Sequence, residues 1–178
     1  LLKAWPQAGP ALAWHFDGLG EGHSSVAIDS DKLYLTGQTD GKGYIFVFDL
    51  TGKQLNKKEY GPDWSTNYNG PRGTITMNNG KIYLISGLGD VYCFDQNTLG
   101  VVWKKNILKE YNASNIEWGI NEAPLIIGDK LIATPGGKQH NMVALNKTTA
   151  QRYGPVPAEG SDRAYCRPCT TADTTYPQ

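Results

Sequence analysis

A six-residue segment recurs in this chain at a fixed interval. The copies Lys32–Gly37, Lys81–Ser86 and Lys130–Pro135 begin 49 residues apart. A period of about 20 to 50 residues is the signature of architectures in which similar units stack or close into a ring. The repeat therefore limits the possible folds more than any other feature of the 178 residues.

Each copy is the second strand of a predicted four-stranded unit. A short apolar run and a polar turn come before it, as in Val26–Ile28 followed by Asp29–Asp31, which is a hairpin signature. A third strand follows a glycine-containing turn, and a fourth follows a second turn, most clearly at Val101–Trp103. Helical periodicity is missing, whereas glycine and aromatic residues are abundant. These patterns predict an all-β fold, a β-propeller fragment of about three four-stranded antiparallel blades of ~49 residues.

The predicted domain limits follow the repeat. Residues 1–150 are expected to form a partial propeller with blades at 22–58, 71–107 and 121–150, preceded at 11–17 by the outermost strand of another blade. Residues 151–178 have a weaker pattern and are expected to be an irregular tail or the start of a fourth blade. An open stack of blades exposes apolar faces and strand edges, so the isolated chain is expected to self-associate.

The charges of the chain are balanced, with 17 basic and 17 acidic residues. A chain without net positive charge has no general attraction for nucleic acid, so a nucleic-acid partner is not expected. No apolar run approaches the roughly 18 residues of a membrane helix. The first residues also lack the basic-then-apolar order of a signal peptide. The chain is therefore expected to be soluble or already processed, and not membrane-spanning.

One predicted turn carries a recognisable motif. The run Cys93–Trp103 resembles the tryptophan-docking motif of the quinoprotein-type (PQQ-like) propeller repeat, with Asp95, Thr98 and Trp103 at the expected offsets. Leu99 replaces the glycine of that motif and a glycine follows one place later, which predicts a displaced turn.

Two further turns match the motif in part. Ala144–Thr149 repeats its first positions without the tryptophan, and the turn at Asp49 is one residue short and places Asn56 near the tryptophan position. Trp14 and Trp103, like Asp95 and Thr98, are interpreted as structural docking residues that pack neighbouring blades together.

The resemblance implies properties that the residues alone do not establish. Complete rings of this family usually have about seven or eight blades, which implies that the chain is a fragment, a truncated reading or part of an assembly. Members include alcohol and sugar dehydrogenases that hold pyrroloquinoline quinone and calcium. They also include a non-catalytic lipoprotein that assists outer-membrane protein assembly. The family further implies an exported location, in the periplasm or at the cell surface.

Polar residues at the start of the innermost strands are candidate ligand-binding residues. The 49-residue period aligns His23 with Arg72 and with Asn121, which is followed by Glu122. In a propeller these positions converge near one mouth of the central channel, where they could bind a small polar ligand or perform acid–base chemistry. The alternative is that they are solvated loop residues.

Two tryptophans in the long loops between blades are further candidates. Trp64 and Trp118 could offer a stacking surface for a sugar ring, a quinone or a peptide. They could equally cover the edges of blades.

A pair of cysteines in the tail has the C-x-x-C spacing of redox and zinc sites. Cys166 and Cys169 have no second pair to complete a four-thiolate zinc site, so no metal is predicted and their role stays open.

These observations favour a non-catalytic propeller scaffold or binding module that recognises a protein, peptide or glycan through its loop face. No cofactor is expected under this interpretation. The alternative is a fragment of a quinoprotein-type oxidoreductase, a dehydrogenase that oxidises alcohols or sugars with pyrroloquinoline quinone and calcium. Three blades cannot enclose such a cofactor, so the chain alone would be inactive even then.

Overall fold

The computed structural model describes residues 4–154. The expectations for residues 155–178, including those for Cys166 and Cys169, lie outside the described residues. Within residues 4–154 the chain forms eleven β-strands in three antiparallel sheets and one short helix. The prediction of an all-β fold with antiparallel blades is confirmed.

The three sheets follow one another along the chain. Sheet 1 consists of β1 (Ala27–Asp29), β2 (Lys32–Thr39), β3 (Lys42–Asp49) and β4 (Gln54–Pro62). Sheet 2 consists of β5 (Thr76–Asn78), β6 (Lys81–Ile85), β7 (Asp90–Asp95) and β8 (Val101–Asn106), and α1 (Ile107–Glu110) follows it. Sheet 3 consists of β9 (Leu125–Ile127), β10 (Lys130–Ala133) and β11 (Val143–Asn146). In each sheet the strands lie side by side in sequence order, as a series of hairpins produces.

One sheet differs from the sequence prediction in detail. Sheet 3 has three strands in the described part of the chain, and where a fourth would begin there is an isolated bridge between Leu145 and Arg152. Residues 11–17 are not assigned to a strand, and their expected place as the outermost strand of a preceding blade stays a prediction. They contribute aromatic rings, since Trp14 and Phe16 pack on Phe48 with ring centroids 6.2 Å and 4.8 Å away.

The core lies between the sheets, since neighbouring sheets bury their facing side chains against each other. Tyr34, Val47 and Ile82 belong to the cluster between sheets 1 and 2, and Tyr83 and Leu131 belong to the cluster between sheets 2 and 3. All five are at most 5% exposed. The two central strands of sheet 2, β6 and β7, are therefore buried on both faces, which is the pattern of a strand covered from both sides.

The first strands of the three sheets lie next to one another. The backbone N–H of Ser25 donates to Thr74 Oγ1 at 3.1 Å, and Thr76 Oγ1 donates to the carbonyl oxygen of Pro124 at 2.6 Å. These bonds join the segment before β1 to that before β5, and β5 to the segment before β9. The residues that precede the three strands therefore meet at one end of the molecule, referred to below as the inner-strand mouth.

The turn that follows the third strand is built alike in all three sheets. Asp49, Asp95 and Asn146 each accept two backbone N–H bonds from the following residues through Oδ1. The position after the motif threonine takes a positive φ in each case, at Gly52 (+87°), Leu99 (+53°) and Ala150 (+58°). The prediction of a displaced turn was wrong, because Leu99 itself adopts the left-handed conformation.

No helix among residues 4–154 is both long and apolar enough to cross a bilayer.

Candidate ligand-binding site at the inner-strand mouth

A cavity of about 510 Å³ opens at the inner-strand mouth. It is lined by His23, Tyr68, Arg72, Trp118 and Asn121. The structure thus brings together four sequence candidates, and three of them come from equivalent positions before sheets 1, 2 and 3. These three residues are equally spaced in the sequence and lie close together in the structure, because the three inner strands are neighbours.

Arg72 provides the positive charge of the cavity. Its guanidinium donates to the carbonyl oxygens of Gly70 and Asn67, both at 2.9 Å, and lies 5.8 Å from the centre of the Trp64 ring. Among residues 4–154 no carboxylate lies within 4.0 Å of its nitrogens. Burial lowers the pKa of Arg72 and the nearby Asp63 opposes that effect, but an arginine remains charged at any physiological pH. The guanidinium is therefore held in place and can pair with an anion.

Trp64 supports the site from beneath. Its side chain is 7% exposed, it lies outside the cavity lining, and its Nε1 donates to the carbonyl oxygen and to Oδ1 of Asn67 at 3.0 and 2.8 Å. Because Asn67 also accepts from Arg72, the buried indole fixes the loop that presents the guanidinium. The structure thus gives Trp64 a covering position instead of a stacking surface.

A buried carboxylate anchors the same loop to sheet 2. Asp63 accepts bonds from the hydroxyl of Tyr60 at 2.5 Å and from the backbone N–H groups of Trp64 and Gly87, both at 2.7 Å. Burial raises the pKa of Asp63, and the three donors act in the opposite direction. The bond to Gly87 joins the end of β4 to the turn after β6, so the position of the loop depends on the packing of two sheets.

Two aromatic rings form the exposed wall of the cavity. Tyr68 is 71% exposed and Trp118 is 38% exposed, and their ring centroids are 5.7 Å apart at an angle of 45°. Sequence reasoning missed Tyr68, which lies in the loop between β4 and β5 at a positive φ of 45°. Its place in the same loop as Trp64 was the signal available, but the period gives no reason to choose it. The pair offers flat apolar area beside a cation, which suits a ring-bearing ligand.

His23 closes the remaining side of the cavity. Its backbone N–H donates to the carbonyl oxygen of Pro71 at 2.8 Å. Its Nε2 lies 3.2 Å from the carbonyl oxygen of Tyr68, to which an Nε2–H can donate. The imidazole is therefore tied to the loop that carries Tyr68 and Arg72.

Glu122 does not belong to the cavity lining. It is 5% exposed, and its carboxylate accepts bonds from the backbone N–H of Thr134 at 2.8 Å and from the hydroxyl of the same residue. The residues present therefore do not fit pyrroloquinoline quinone with calcium: calcium prefers several carboxylate and carbonyl oxygens, and the lining offers one amide at Asn121. No group of three or more metal-ligating His, Cys, Asp or Glu side chains occurs among the described residues.

The motif residues lie away from the cavity, at the junctions between sheets. Trp103 Nε1 donates to the carbonyl oxygen of Lys147 at 2.9 Å, and Trp14 Nε1 donates to that of Leu50 at 3.0 Å. Asp95 holds the turn through the backbone of Thr98 and also pairs with Lys81 at 2.8 Å.

Solved structures with the same fold are propellers. The chain is similar to a europium-containing methanol dehydrogenase (21% identity, TM-score 0.60, 84% of this chain and 27% of that one). It is also similar to BamB from Moraxella catarrhalis (17% identity, TM-score 0.57, 80% and 41%). A third similar structure is the quinohemoprotein alcohol dehydrogenase from Comamonas testosteroni (19% identity, TM-score 0.63, 80% and 22%). At these identities the likeness shows the fold, which is the one that the quinoprotein-type repeat predicted.

The chain spans between 22% and 41% of the length of these three proteins. No family model matches the sequence, and no curated protein matches it.

Proposed function

We propose that this part of a quinoprotein-type propeller is a non-catalytic binding module whose inner-strand mouth takes a segment of a partner protein. One observation carries the proposal: Arg72, without a described carboxylate partner within 4.0 Å, lines an open cavity beside the exposed rings of Tyr68 and Trp118. That combination suits a peptide with a carboxylate next to an aromatic ring. The similarity in fold to BamB is consistent with a scaffold.

The geometry also suggests how such a segment would be held. The fixed guanidinium would pair with the carboxylate, the two rings would pack on the aromatic side chain, and Asn121 and His23 would exchange hydrogen bonds with the peptide backbone. The loop is tied down by Asp63 and Trp64 before any ligand arrives, so little ordering entropy is lost on binding.

The test is a calorimetric titration of the full chain with two matched probes. One is an acetylated heptapeptide with a central tyrosine between two aspartates, and the other has asparagines in place of the aspartates. We expect saturable binding of the acidic peptide and at least tenfold weaker binding of its control, because a hydrogen bond to a charged group contributes about 1.5–3 kcal/mol. Equal affinities for the two peptides would contradict the proposal.

Three variants locate the binding. Arg72→Met removes the charge and keeps much of the side-chain volume, so it should abolish the preference for the acidic peptide. Lys58→Met changes the net charge by the same amount at an exposed position of β4 outside the cavity, and it should leave the affinity unchanged. Trp118→Ala should weaken both peptides alike.

A second candidate function is part of a quinoprotein oxidoreductase, which the similarity to two dehydrogenase structures favours. The discriminating probe is pyrroloquinoline quinone with calcium, added to the full-length parent protein. Saturable heat, together with dye reduction by an alcohol, would establish the oxidoreductase. Absence of binding in a folded parent would leave the binding module.

Two further proposals concern the cellular location of the protein and the association of the isolated chain. We propose an exported location, which fractionation of the source cells would test. We also propose that the isolated chain associates through its open sheet faces, where Ile127 and Met142 are 44% and 39% exposed. Light scattering that gives a single species of 19.5 kDa would contradict association.

A further inference from the structure

Two tryptophans of the chain occupy equivalent docking seats. A docking seat is defined here as the space beside a motif turn in which an indole donates its N–H to the carbonyl of the residue after the motif Asp or Asn. Trp14 occupies one on sheet 1, at the carbonyl of Leu50, and Trp103 occupies one on sheet 3, at the carbonyl of Lys147. The donor–acceptor distances of 3.0 and 2.9 Å show that the same hydrogen bond forms in both seats.

The seat between sheets 1 and 2 has no tryptophan. Its carbonyl belongs to Gln96, which follows Asp95, and no group in the described part of the chain donates to that oxygen. Asn56 stands where Trp103 stands in the next sheet. The strand register establishes this equivalence, since Asn56 pairs with Val47 and Trp103 with Cys93, and a β-bulge follows each pair.

A cavity of about 200 Å³ lies at this seat. Its wall includes Asn56 at the tryptophan position, Gln96 with the free carbonyl, and Leu99 at the left-handed turn position. Tyr34 also lines it and is the counterpart of Tyr83, whose ring lies 6.3 Å from that of Trp103. The remaining lining residues are Lys32, Val47, Leu55 and Asn97. The cavity is therefore the third docking seat without its ring.

The dimensions and chemistry of this seat define its ligand. A cavity of roughly 150 Å³ is enough to hold a benzene ring, so the space accepts a flat aromatic group that packs on Val47 and Leu99. Leu99 takes the turn position that Gly52 has in the first seat, and it is 1% exposed. The side chain of Gln96 is held by Asp29 at 2.6 Å and by the hydroxyl of Tyr34 at 3.1 Å, and its backbone N–H donates to the carbonyl oxygen of Gly80 at 3.0 Å, so that this residue is fixed at the seat. An aromatic ring with an N–H donor satisfies both features.

We infer that the seat between sheets 1 and 2 binds the indole of a tryptophan from a partner protein, with the ring N–H donating to the carbonyl of Gln96. The chain itself places Trp64 and Trp118 at the opposite end of sheets 1 and 2, and uses Trp14 and Trp103 for its own seats. The inference is independent of the proposed function, because none of the residues that line the seat lines the cavity at the inner-strand mouth.

The first experiment uses the full chain and N-acetyl-L-tryptophanamide as the probe, followed by NMR chemical shifts of the Gln96 and Leu99 amides. We expect saturable binding, on the order of millimolar because a single side chain offers little contact area. The 1-methyl analogue lacks the N–H and should bind about fivefold more weakly, as the loss of one neutral hydrogen bond requires. No saturable shifts at these amides, or equal affinity for the methylated probe, would overturn the inference.

A pair of variants supplies the control. Asn56→Trp places an indole in the seat from within the chain and should abolish probe binding. Lys57→Trp adds the same ring one residue along β4, on the opposite face where Lys57 Nζ lies 4.3 Å from the centre of the Tyr44 ring, and should leave binding unchanged. Unaltered binding in a folded Asn56→Trp variant would overturn the inference, and the comparison of the two probes on the unmodified chain stands even if that variant does not fold.

One alternative source of indole is Trp5 of a second copy, because that side chain is 70% exposed. Concentration-dependent association that Trp5→Ala abolishes, together with higher probe affinity in that variant, would overturn the assignment to a partner protein. Association unaffected by Trp5→Ala would support it.

Discussion

The two junctions between sheets solve the same packing problem with different residues. Between sheets 2 and 3, Trp103 covers the rim of the core, lies 6.3 Å from Tyr83 and donates to the carbonyl of Lys147. Between sheets 1 and 2, Asn56 occupies the corresponding register position and is exposed, while Leu99 at the left-handed turn position is buried. Both junctions nevertheless contain a cluster of fully buried side chains.

The comparison shows which part of the docking motif the fold requires. The turn with its Asp or Asn and its left-handed position is present at both junctions, whereas the tryptophan is present at one. A side chain also crosses each junction below the ring position: Gln96 binds Asp29 on one side, and Lys147 binds Asn78 on the other. The turn and this cross-link hold neighbouring sheets together, and the indole adds stability at the rim.

The largest expected difference between the junctions follows from truncating the two equivalent residues. Trp103→Ala should lower the free energy of unfolding by about 3 kcal/mol, because it removes a half-buried indole and its hydrogen bond. Asn56→Ala should change it by less than about 0.5 kcal/mol, since the side chain is exposed. Urea denaturation followed by circular dichroism measures both. Similar losses in the two variants would show that the junctions do not differ as described.

The floor of the first docking seat provides a second comparison. Gly52 has a φ of +87°, and an added Cβ would lie 2.5 Å from Cδ2 of Trp14. Gly52→Ala should therefore cost about 2 kcal/mol through the left-handed conformation and the contact with the ring. Ala150 occupies the equivalent position with a Cβ already present, and Ala150→Gly should change stability by less than about 1 kcal/mol. The midpoints of thermal unfolding test whether Gly52→Ala is the more destabilising of the two changes. An unchanged midpoint for Gly52→Ala would show that Trp14 does not pack against Gly52.

A gain of stability is expected where the seat lacks its ring. Asn56→Trp should fill the cavity of about 200 Å³ and raise the free energy of unfolding by about 1 kcal/mol through buried apolar area. The matched Lys57→Trp variant should show no gain, because its side chain lies on the other face of β4. A lower midpoint for Asn56→Trp would indicate that Leu99 already fills the seat.

The smallest expected difference concerns acid. The Nζ of Lys81 donates to the Asp95 carboxylate at 2.8 Å, and this bond, with backbone N–H bonds, lowers the pKa of Asp95 from 3.8 to about 2. A carboxyl whose pKa is lower in the folded state stabilises the fold above the unfolded value, and that contribution is lost as the pH falls from 3.8 to about 2. The equivalent turn in sheet 3 has Asn146, which does not titrate.

The acid dependence can be measured by thermal unfolding over this range. Asp95→Asn should lose less stability than the unmodified chain between neutral pH and about pH 2, so that the two curves converge at low pH. Asp31→Asn removes the same charge at an exposed turn position and should leave the slope close to that of the unmodified chain. Parallel curves for Asp95→Asn and the unmodified chain would contradict the prediction.

Much of the fold could be predicted because the sequence pattern that specifies each sheet recurs at a fixed period. The spacing of Lys32, Lys81 and Lys130 predicted three similar hairpin units, and each lysine begins the second strand of a sheet. The conformation of the motif turn could not be predicted, since residue types favour glycine at the left-handed position and only burial explains why Leu99 stands there. The residue types of a turn indicate its local backbone preference, and at Leu99 the packing between sheets overrides that preference.

The candidate site was predictable where it follows the period and unpredictable where it depends on loops. His23, Arg72 and Asn121 line one cavity, as equivalent positions just before adjacent inner strands should. Glu122 and Trp64 are buried, because each finds partners within the chain that no spacing reveals: Thr134 for the carboxylate and Asn67 for the indole. Tyr68 reaches the cavity through a left-handed loop residue, a conformation that the period does not indicate.

The cavity at the inner-strand mouth takes one residue from the segment before each sheet. A ligand that contacts His23, Arg72 and Asn121 together would link all three sheets. Rotation of one sheet against the next would then have to break contacts between the protein and the ligand. Ligand binding and the resistance of the sheets to rotation against each other are therefore coupled. By linkage, every substitution that loosens a junction at the outer rim should weaken affinity at the mouth, although no ligand atom touches the rim.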